Sequence, residues 1–215
     1  MHRTLCICAL IQPIATRTRV VLLLHQLEQG KPTNTGRLAA RCLTNAQVIE
    51  AGGAPGTDAD ARPVADATSP WDAPDAEALL LFPHPDARPL EDWRDSARPI
   101  VLVVPDGTWR QAKKARRRIA GLDRLSCVTL PAAAPSSYRL RHAARPDRLA
   151  TIEAIARALG ILEGPQEGPE IQRRLDYIFR VMVDRTLWTN GRIRTAAVTG
   201  GIPVGVRAHD PLGIG

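Results

Sequence analysis

The stretch Val101-Leu-Val-Val-Pro-Asp-Gly-Thr-Trp-Arg-Gln-Ala-Lys-Lys-Ala-Arg-Arg-Arg-Ile119 changes character in its middle. It begins as an apolar, mostly β-branched run, which is typical of a buried strand. The run stops at Pro105-Asp-Gly-Thr-Trp109, and six positive charges then follow within nine residues. A buried strand that leads through a short polar loop into a basic helix predicts one strand–helix unit of a parallel sheet.

Three further apolar runs have the same form, at residues 19–24, 78–82 and 126–130. Each is followed by a loop and then by a helical segment. The predicted helices run from a cap at Thr33, Asn34 or Thr35 to Cys42, from Leu149 to Leu162, and from Pro169 to Trp188. Alternating strands and helices favour an α/β fold with a mostly parallel sheet that is covered by helices on both faces.

Two segments lack apolar periodicity and divide the 215-residue chain. Residues 51–77 are rich in Ala, Asp, Pro and Gly, which predicts a flexible insertion within the domain. Residues 189–215 contain many glycines and no periodic pattern, which predicts an irregular C-terminal tail. We therefore expect a single domain over residues 1–188, followed by that tail.

The overall charge and the cysteines limit the class of protein. A net charge of +7 and a pI near 9.9 favour a polyanionic partner, although many basic proteins bind none. No apolar run approaches the roughly 18 residues of a membrane span. The four cysteines form no dense framework and no signal peptide precedes them, so we expect a cytoplasmic protein with free or metal-bound thiols.

The helix after Trp109 has two different faces when it is laid out at about 100° per residue. One face carries Arg110, Lys113, Lys114 and Arg117, and the opposite face carries Ala112, Ala115, Ile119 and Leu122. Four cations on one face suit a phosphate backbone, whereas an ordinary solvated surface is the competing interpretation. The apolar face is expected to pack on the sheet.

Two loops follow strands at the expected carboxyl edge of the sheet, where parallel α/β proteins bind ligands. One contains Asp106, Thr108 and Trp109, and the other spans residues 134–141. Asp106 and Thr108 could equally serve as helix N-caps, and Trp109 could be wedged under the helix. His25, His84 and His142 are isolated along the chain and are expected to be structural. The sequence contains no dinucleotide fingerprint, phosphate loop or zinc-protease motif.

The motif Asp106-Gly-Thr-Trp109, with Ala112-Lys-Lys114 behind it, resembles the D-x-T-W motif that defines the DTW-domain family. Four further blocks are similar to that family in the same order: residues 8–24, 31–38, 135–141 and 151–154. The resemblance covers residues 6–188. It implies a SPOUT-like sheet with a knotted C-terminal part, and a tRNA-uridine aminocarboxypropyltransferase. Such enzymes move the 3-amino-3-carboxypropyl group of S-adenosylmethionine to N3 of a uridine and release 5′-methylthioadenosine.

The chemistry of such a transfer, together with the charge pattern of the chain, suggests roles for individual residues. Asp106 is the expected general base at uracil N3, directly or through Thr108, and Trp109 would line the pocket or stack on a flipped base. Arg139 or Arg141 would hold the carboxylate of the co-substrate. The full set of expected cofactor-binding residues is Gly107, Ser137, Tyr138, Arg139, Arg141, Thr151 and Glu153. The expected tRNA-binding residues are Lys31, Arg37, Arg110, Lys113, Lys114 and Arg117.

Zinc is not expected, because only Cys6 and Cys8 match the cysteine set of the family's bacterial members, and two thiolates do not complete a tetrahedral site. Either the start of the chain is misassigned or this member lacks the metal. No membrane partner and no obligate protein partner are predicted. Two other functions remain open: a SPOUT-type RNA methyltransferase and a non-catalytic RNA-binding module.

Overall fold

Six parallel strands form one sheet in the computed structural model, which describes residues 3–31, 33–51, 69–132, 135–140 and 149–206. The strands are β1 (Arg19–His25), β2 (Ala46–Ala51), β3 (Glu77–Leu81), β4 (Arg88–Pro89), β5 (Ile100–Asp106) and β6 (Ser126–Thr129). They lie in the order β2-β1-β5-β3-β6-β4, and all pairs are parallel. The α/β fold with a parallel sheet is therefore confirmed.

Four helices cover the two faces of this sheet: α1 (Thr35–Cys42), α2 (Trp109–Arg118), α3 (Thr151–Leu162) and α4 (Gly164–Thr189). Successive side chains of a strand point to opposite faces, so Val20 and Leu22 pack with α1, α3 and α4. Val21 and Leu23 pack instead with Ala112 of α2. The central strands are apolar throughout because both of their faces are buried, and each buried Leu or Val contributes roughly 1.5–3 kcal/mol.

Side-chain caps fix where α1 and α2 begin. The side chain of Asn34 accepts a hydrogen bond from the Arg37 amide at 2.7 Å, so Asn34 is the cap of α1 among the three predicted candidates. Thr108 caps α2 by accepting from the Gln111 amide at 3.3 Å, and Gln111 Oε1 accepts from the Thr108 amide at 2.6 Å. This reciprocal capping box satisfies two amides that a helix start leaves without partners.

The helices α3 and α4 form a tight antiparallel hairpin. They are joined at Gly164, whose φ of 78° lies in the left-handed region that favours glycine. A Cβ atom on Gly168 would lie 2.3 Å from the carbonyl oxygen of Gly160, so the two backbones meet with no room for a side chain. The helix α4 begins at Gly164, five residues before the expected Pro169. Pro165 occupies its first turn, where the missing N–H of proline breaks no helical hydrogen bond, and Pro169 lies inside the helix.

The sequence did not predict β2 or β4. The side chains of β2 are half-buried or exposed along its whole length, so no continuous apolar run marks this edge strand. The strand β4 has only two residues. Both are edge strands, and each is hydrogen-bonded to a single neighbouring strand.

The predicted insertion and tail are only partly described. Residues 52–68 and 207–215 lie outside the described residues, and the flexible insertion stays a prediction there. Trp71, on the described flank of the insertion, is 2% exposed and packs on the α2 side of the sheet. Residues 190–206 contain one short 3₁₀ helix, Thr195–Ala197, and are otherwise irregular. Val198 within them is buried with Leu5 and Trp188, so this part of the tail is anchored.

The knotted crossing of the chain stays a prediction, because residues 141–148, which lead into α3, lie outside the described residues. None of the helices within the described ranges combines the length and apolar character that crossing a bilayer requires.

We predict that Gly168→Ala lowers the free energy of unfolding by about 1–3 kcal/mol, because the added methyl group meets a backbone carbonyl that cannot move aside. Gly30→Ala is the matched control, since a Cβ there meets nothing within 4 Å. Urea unfolding of both variants measures the difference. Equal stabilities would contradict the close backbone crossing.

Candidate functional site

Asp106 is the last residue of β5, and its carboxylate lies where α1 and α3 begin. It is paired with Leu24 of β1 in the sheet and is 6% exposed. Its Oδ2 atom accepts a hydrogen bond from Asn34 Nδ2 at 2.7 Å, and its Oδ1 atom accepts one from Thr151 Oγ1 at 2.5 Å. The carboxylate therefore joins the cap of α1 to the first residue of α3.

The Asp106 carboxylate lies between the starts of two helices. Two helix N-termini carry partial positive charge, and both supply a side-chain donor to the carboxylate. A Cβ atom on Gly36 would lie 2.7 Å from Asp106 Oδ2, so glycine leaves the space that the carboxylate occupies. The alternative that Asp106 caps α2 is wrong, because Thr108 is the cap and the Asp106 carboxylate accepts from Asn34 and Thr151 instead.

Glu153, in the first turn of α3, holds the second predicted loop. Its Oε1 atom accepts from the Ser137 amide at 2.7 Å and from Ser137 Oγ at 3.0 Å. Its Oε2 atom accepts from Ser136 Oγ at 2.5 Å and from the Ala150 amide at 2.7 Å. Four donors occupy all the lone pairs of a carboxylate. Glu153 is 4% exposed and thus anchors the loop rather than offering an open acceptor to a ligand.

The two predicted loops meet at the start of α3. The Asp106 loop reaches it through Thr151, and the loop of residues 135–140 reaches it through Glu153, two positions further along. The expectation that both loops lie together at the carboxyl edge of the sheet is confirmed for these residues. The site is thus assembled around one turn of helix.

The remaining loop residues contact α4. The ring of Tyr138 lies 5.5 Å from that of Phe179 in a tilted arrangement. Arg139 Nη2 donates to Asp184 Oδ1, while about half of the Arg139 side chain stays exposed. Arg141, the other predicted carboxylate ligand, lies outside the described residues.

Trp109 is an exposed aromatic side chain at the first position of α2. It is 46% exposed, and its ring centroid lies 5.9 Å from that of Phe82. The alternative that it is wedged under the helix is therefore wrong. Thr108, next to it, is committed to the helix cap. A half-exposed indole beside a cationic helix provides a surface on which a base can stack.

His25, which the sequence analysis set apart from the site, lines a small cleft under α2. It ends β1 next to β5, and its Nδ1 atom lies 3.2 Å from both the Leu27 amide and Gln111 Nε2. Because both groups donate to Nδ1, we infer that the ring proton is on Nε2. His25, Gln111 and Thr108 form a chain of hydrogen bonds beside this cleft. The sequence signal for His25 is that it ends an apolar strand, at the place where parallel α/β proteins bind ligands.

The predicted cationic face of α2 is present. The four cations of this face are all exposed: Arg110, Lys113, Lys114 and Arg117. Ala112, on the opposite face, is buried. Lys31 and Arg37 follow the neighbouring strand β1. Lys31 Nζ lies 2.6 Å from Glu28 Oε1, and Arg37 Nη1 donates to the Gln29 carbonyl at 3.0 Å. All six predicted RNA-binding cations therefore lie in segments that follow the carboxyl ends of β1 and β5.

Cys6 and Cys8 are exposed free thiols that interact with each other. The Cys8 amide donates to Cys6 Sγ at 3.4 Å and lowers the pKa of the Cys6 thiol, whereas the neighbouring Cys6 sulfur raises the pKa of Cys8. Within the described residues, no group of three or more His, Cys, Asp or Glu side chains could hold a metal ion.

The fold and the site define the class of the protein: a parallel α/β domain whose polar site lies beyond the carboxyl ends of its central strands. The profile of the DTW domain matches residues 1–187, and the chain therefore belongs to the DTW domain family.

Two relatives with assigned names match most of the chain. The chain is 32% identical over 163 residues to tRNA-uridine aminocarboxypropyltransferase 2 of Drosophila melanogaster, across 76% of this chain and 62% of that protein. It is 29% identical over 162 residues to the Mus musculus protein of the same name, across 74% and 53%. The matches span less than two thirds of either relative's length. No solved structure matches the chain.

We predict that Glu153→Gln destabilises the domain by about 2–3 kcal/mol, because one amide oxygen cannot accept from all four buried donors. Glu170→Gln, at an exposed carboxylate that pairs with Arg173, serves as the control and should leave the unfolding midpoint unchanged. Chemical denaturation compares the two variants. A Glu153 variant as stable as the control would show that the carboxylate does not anchor the loop.

Proposed function

We propose that the protein transfers the 3-amino-3-carboxypropyl group of S-adenosylmethionine to N3 of a uridine in tRNA. The observation that carries this proposal is the similarity to two relatives named tRNA-uridine aminocarboxypropyltransferase 2, over segments that include the Asp106 site. The partner implied is tRNA. A tRNA substrate and four free thiols favour a cytoplasmic location.

The reaction exchanges the Cγ–S and N3–H bonds for an N3–Cγ bond and a bond between the proton and a base. S-adenosylmethionine supplies a sulfonium leaving group: the N3–Cγ bond forms, the Cγ–S bond breaks with its electron pair left on sulfur, and the N3 proton goes to a base. No covalent intermediate with the protein is needed. The task of the site is to hold N3 in line with Cγ and to accept the proton.

Asp106 is the proposed acceptor of the N3 proton. Two of the roughly four lone-pair positions of a carboxylate are used by Asn34 and Thr151, so acceptor positions remain for the imide N–H. Thr108 is occupied as the cap of α2, and a direct transfer to Asp106 therefore fits better than a relay through Thr108. The negative charge of Asp106 also suits a cationic sulfonium nearby.

The residues of the second loop fit the other parts of the co-substrate. Tyr138 offers an aromatic face, and Arg139 or Arg141 offers a guanidinium for the carboxylate. Gly107, in the first loop, makes room for the Gln111 side chain, because a Cβ there would lie 2.8 Å from Gln111 Oε1. Three further residues have a supporting role in this proposal. Ser137 donates to Glu153, which holds the loop, and Thr151 donates to Asp106 and holds its carboxylate.

The exposed side of α2 is the proposed tRNA-binding surface. Trp109 would stack on the unstacked uridine or on a neighbouring base, and the cations behind it would contact phosphates. Lys31 and Arg37 would extend this contact along the loop after β1.

We predict that Asp106→Asn lowers the rate of aminocarboxypropyl transfer by at least about 100-fold, because a neutral amide cannot accept the proton. Mass spectrometry of tRNA nucleosides and of the small-molecule product measures the reaction. Asp123→Asn, at an exposed carboxylate after α2, is the control. If the Asp106→Asn variant transfers the group at the wild-type rate, Asp106 is not the base.

The identity of the product tests the function as a whole. Formation of 5′-methylthioadenosine supports the proposed transfer, and S-adenosylhomocysteine would indicate a methyltransferase. Binding of tRNA with no consumption of the co-substrate would indicate a non-catalytic RNA-binding module.

We predict that replacing Lys113 and Arg117 together by alanine weakens tRNA binding and reduces the salt dependence by about one unit of log–log slope per lost phosphate contact. The control replaces Arg173 and Arg192, two exposed cations of α4 and the tail, which changes the net charge equally. Filter binding at several salt concentrations measures both variants. The same slope in both would place the RNA surface elsewhere.

A further inference from the structure

Asp184 of α4 is a buried carboxylate that links two separate segments of the chain. It is 2% exposed. Its Oδ1 atom accepts from Arg139 Nη2, and its Oδ2 atom accepts from the Thr199 amide at 3.0 Å and from Thr199 Oγ1 at 2.6 Å. A buried charge is tolerated only when it is paired and hydrogen-bonded, so the three donors define one orientation of this carboxylate.

Thr199 belongs to the irregular segment that follows α4, beyond the residues that the family profile matches. This segment is held along its length. Val198 is buried, Arg185 Nε donates to the Gly201 carbonyl at 3.3 Å, and a Cβ on Gly200 would meet the Tyr177 hydroxyl at 2.9 Å. We refer to residues 195–206 as the C-terminal strap.

On the other side, Asp184 holds the loop that the proposed function assigns to the co-substrate. Glu153 anchors this loop at Ser136 and Ser137, and Asp184 anchors it at Arg139. A guanidinium has five N–H donors, and the Arg139 side chain is 53% exposed. Its other donors are thus available to an anion, in a direction that the bond to Asp184 fixes.

We propose that Asp184, oriented by Thr199 of the C-terminal strap, is a positioning residue that directs Arg139 at the carboxylate of the co-substrate. This inference rests on the proposed function. Preorganised donors bind an anion more tightly because less side-chain freedom is lost on binding. The strap therefore contributes to affinity for the aminocarboxypropyl end of the ligand without touching it.

The test compares two ligands that differ in the group Arg139 contacts. Calorimetry would measure binding of S-adenosylmethionine and of 5′-methylthioadenosine, which lacks the amino-carboxypropyl group, to Asp184→Asn. We expect affinity for S-adenosylmethionine to fall about tenfold, as loss of a charge-assisted contact implies, and affinity for 5′-methylthioadenosine to stay unchanged. An equal change for both ligands would overturn the proposal.

Two further variants separate positioning from general destabilisation. Glu163→Gln alters another buried carboxylate, which accepts from the amides of Arg17 and Thr18 at 2.9 Å, and should not change the ratio of the two affinities. Thr199→Val removes one donor to Asp184 and leaves the carboxylate itself in place, so it provides the test if Asp184→Asn fails to fold. We expect it to weaken S-adenosylmethionine binding selectively, by about threefold. An unchanged ratio in folded Thr199→Val would overturn the role of the strap.

Binding of S-adenosylmethionine to the wild-type protein shows whether this inference or the proposed function has failed. A wild-type protein that binds no S-adenosylmethionine would contradict the proposed function. A wild-type protein that binds it, with variants that keep the same ligand ratio, would contradict only the role of Asp184.

Discussion

The buried carboxylate of Asp106 is the interaction on which the site depends. A charge with 6% exposure at the end of a central strand needs donors, and these come from the start of α1 and the start of α3. The requirement extends to Gly36, which leaves room for the carboxylate, and to Asn34, which both caps α1 and donates to Asp106. One charged group thereby sets how two helices approach the carboxyl edge of the sheet.

Three other buried carboxylates organise the segments around it. Glu153 holds the loop of residues 135–140, Asp184 holds the same loop and the strap, and Glu163 accepts from the backbone just before β1. Each accepts hydrogen bonds from backbone amides of irregular segments, which have no backbone hydrogen-bond partner in a strand or a helix. Apolar packing builds the two faces of the sheet, whereas charged hydrogen bonds determine the shape of its edge.

The parts of the fold that the sequence predicted correctly are those with a local signal. The strands β1, β3 and β5 contain apolar runs because α/β sheets bury both faces of such strands, and β6 contains the shorter buried pair Cys127 and Val128. The family motif located Asp106 and the loop that contains Ser137. Edge strand β2 has no such run. The sequence left two candidates for the cap of α2, Asp106 and Thr108. Only the positions of their side chains in the folded structure show that Thr108 is the cap. His25 and Asp184 gained their roles from partners far along the chain, which no local pattern indicates.

The separation of these partners in the sequence has a consequence for how the domain matures. Asn34 precedes Asp106 by 72 positions, Thr151 follows it by 45, and Arg139 precedes Asp184 by 45. Contacts between such distant positions form only after long loops have closed, which is costly in chain entropy and slow. A nascent chain that has not yet reached α3 already contains the Asp-Gly-Thr-Trp motif and Asn34, but it lacks Thr151, the second donor to Asp106. The set of donors to Asp106 is therefore complete only when α1 and α3 have both docked at the carboxyl ends of the central strands.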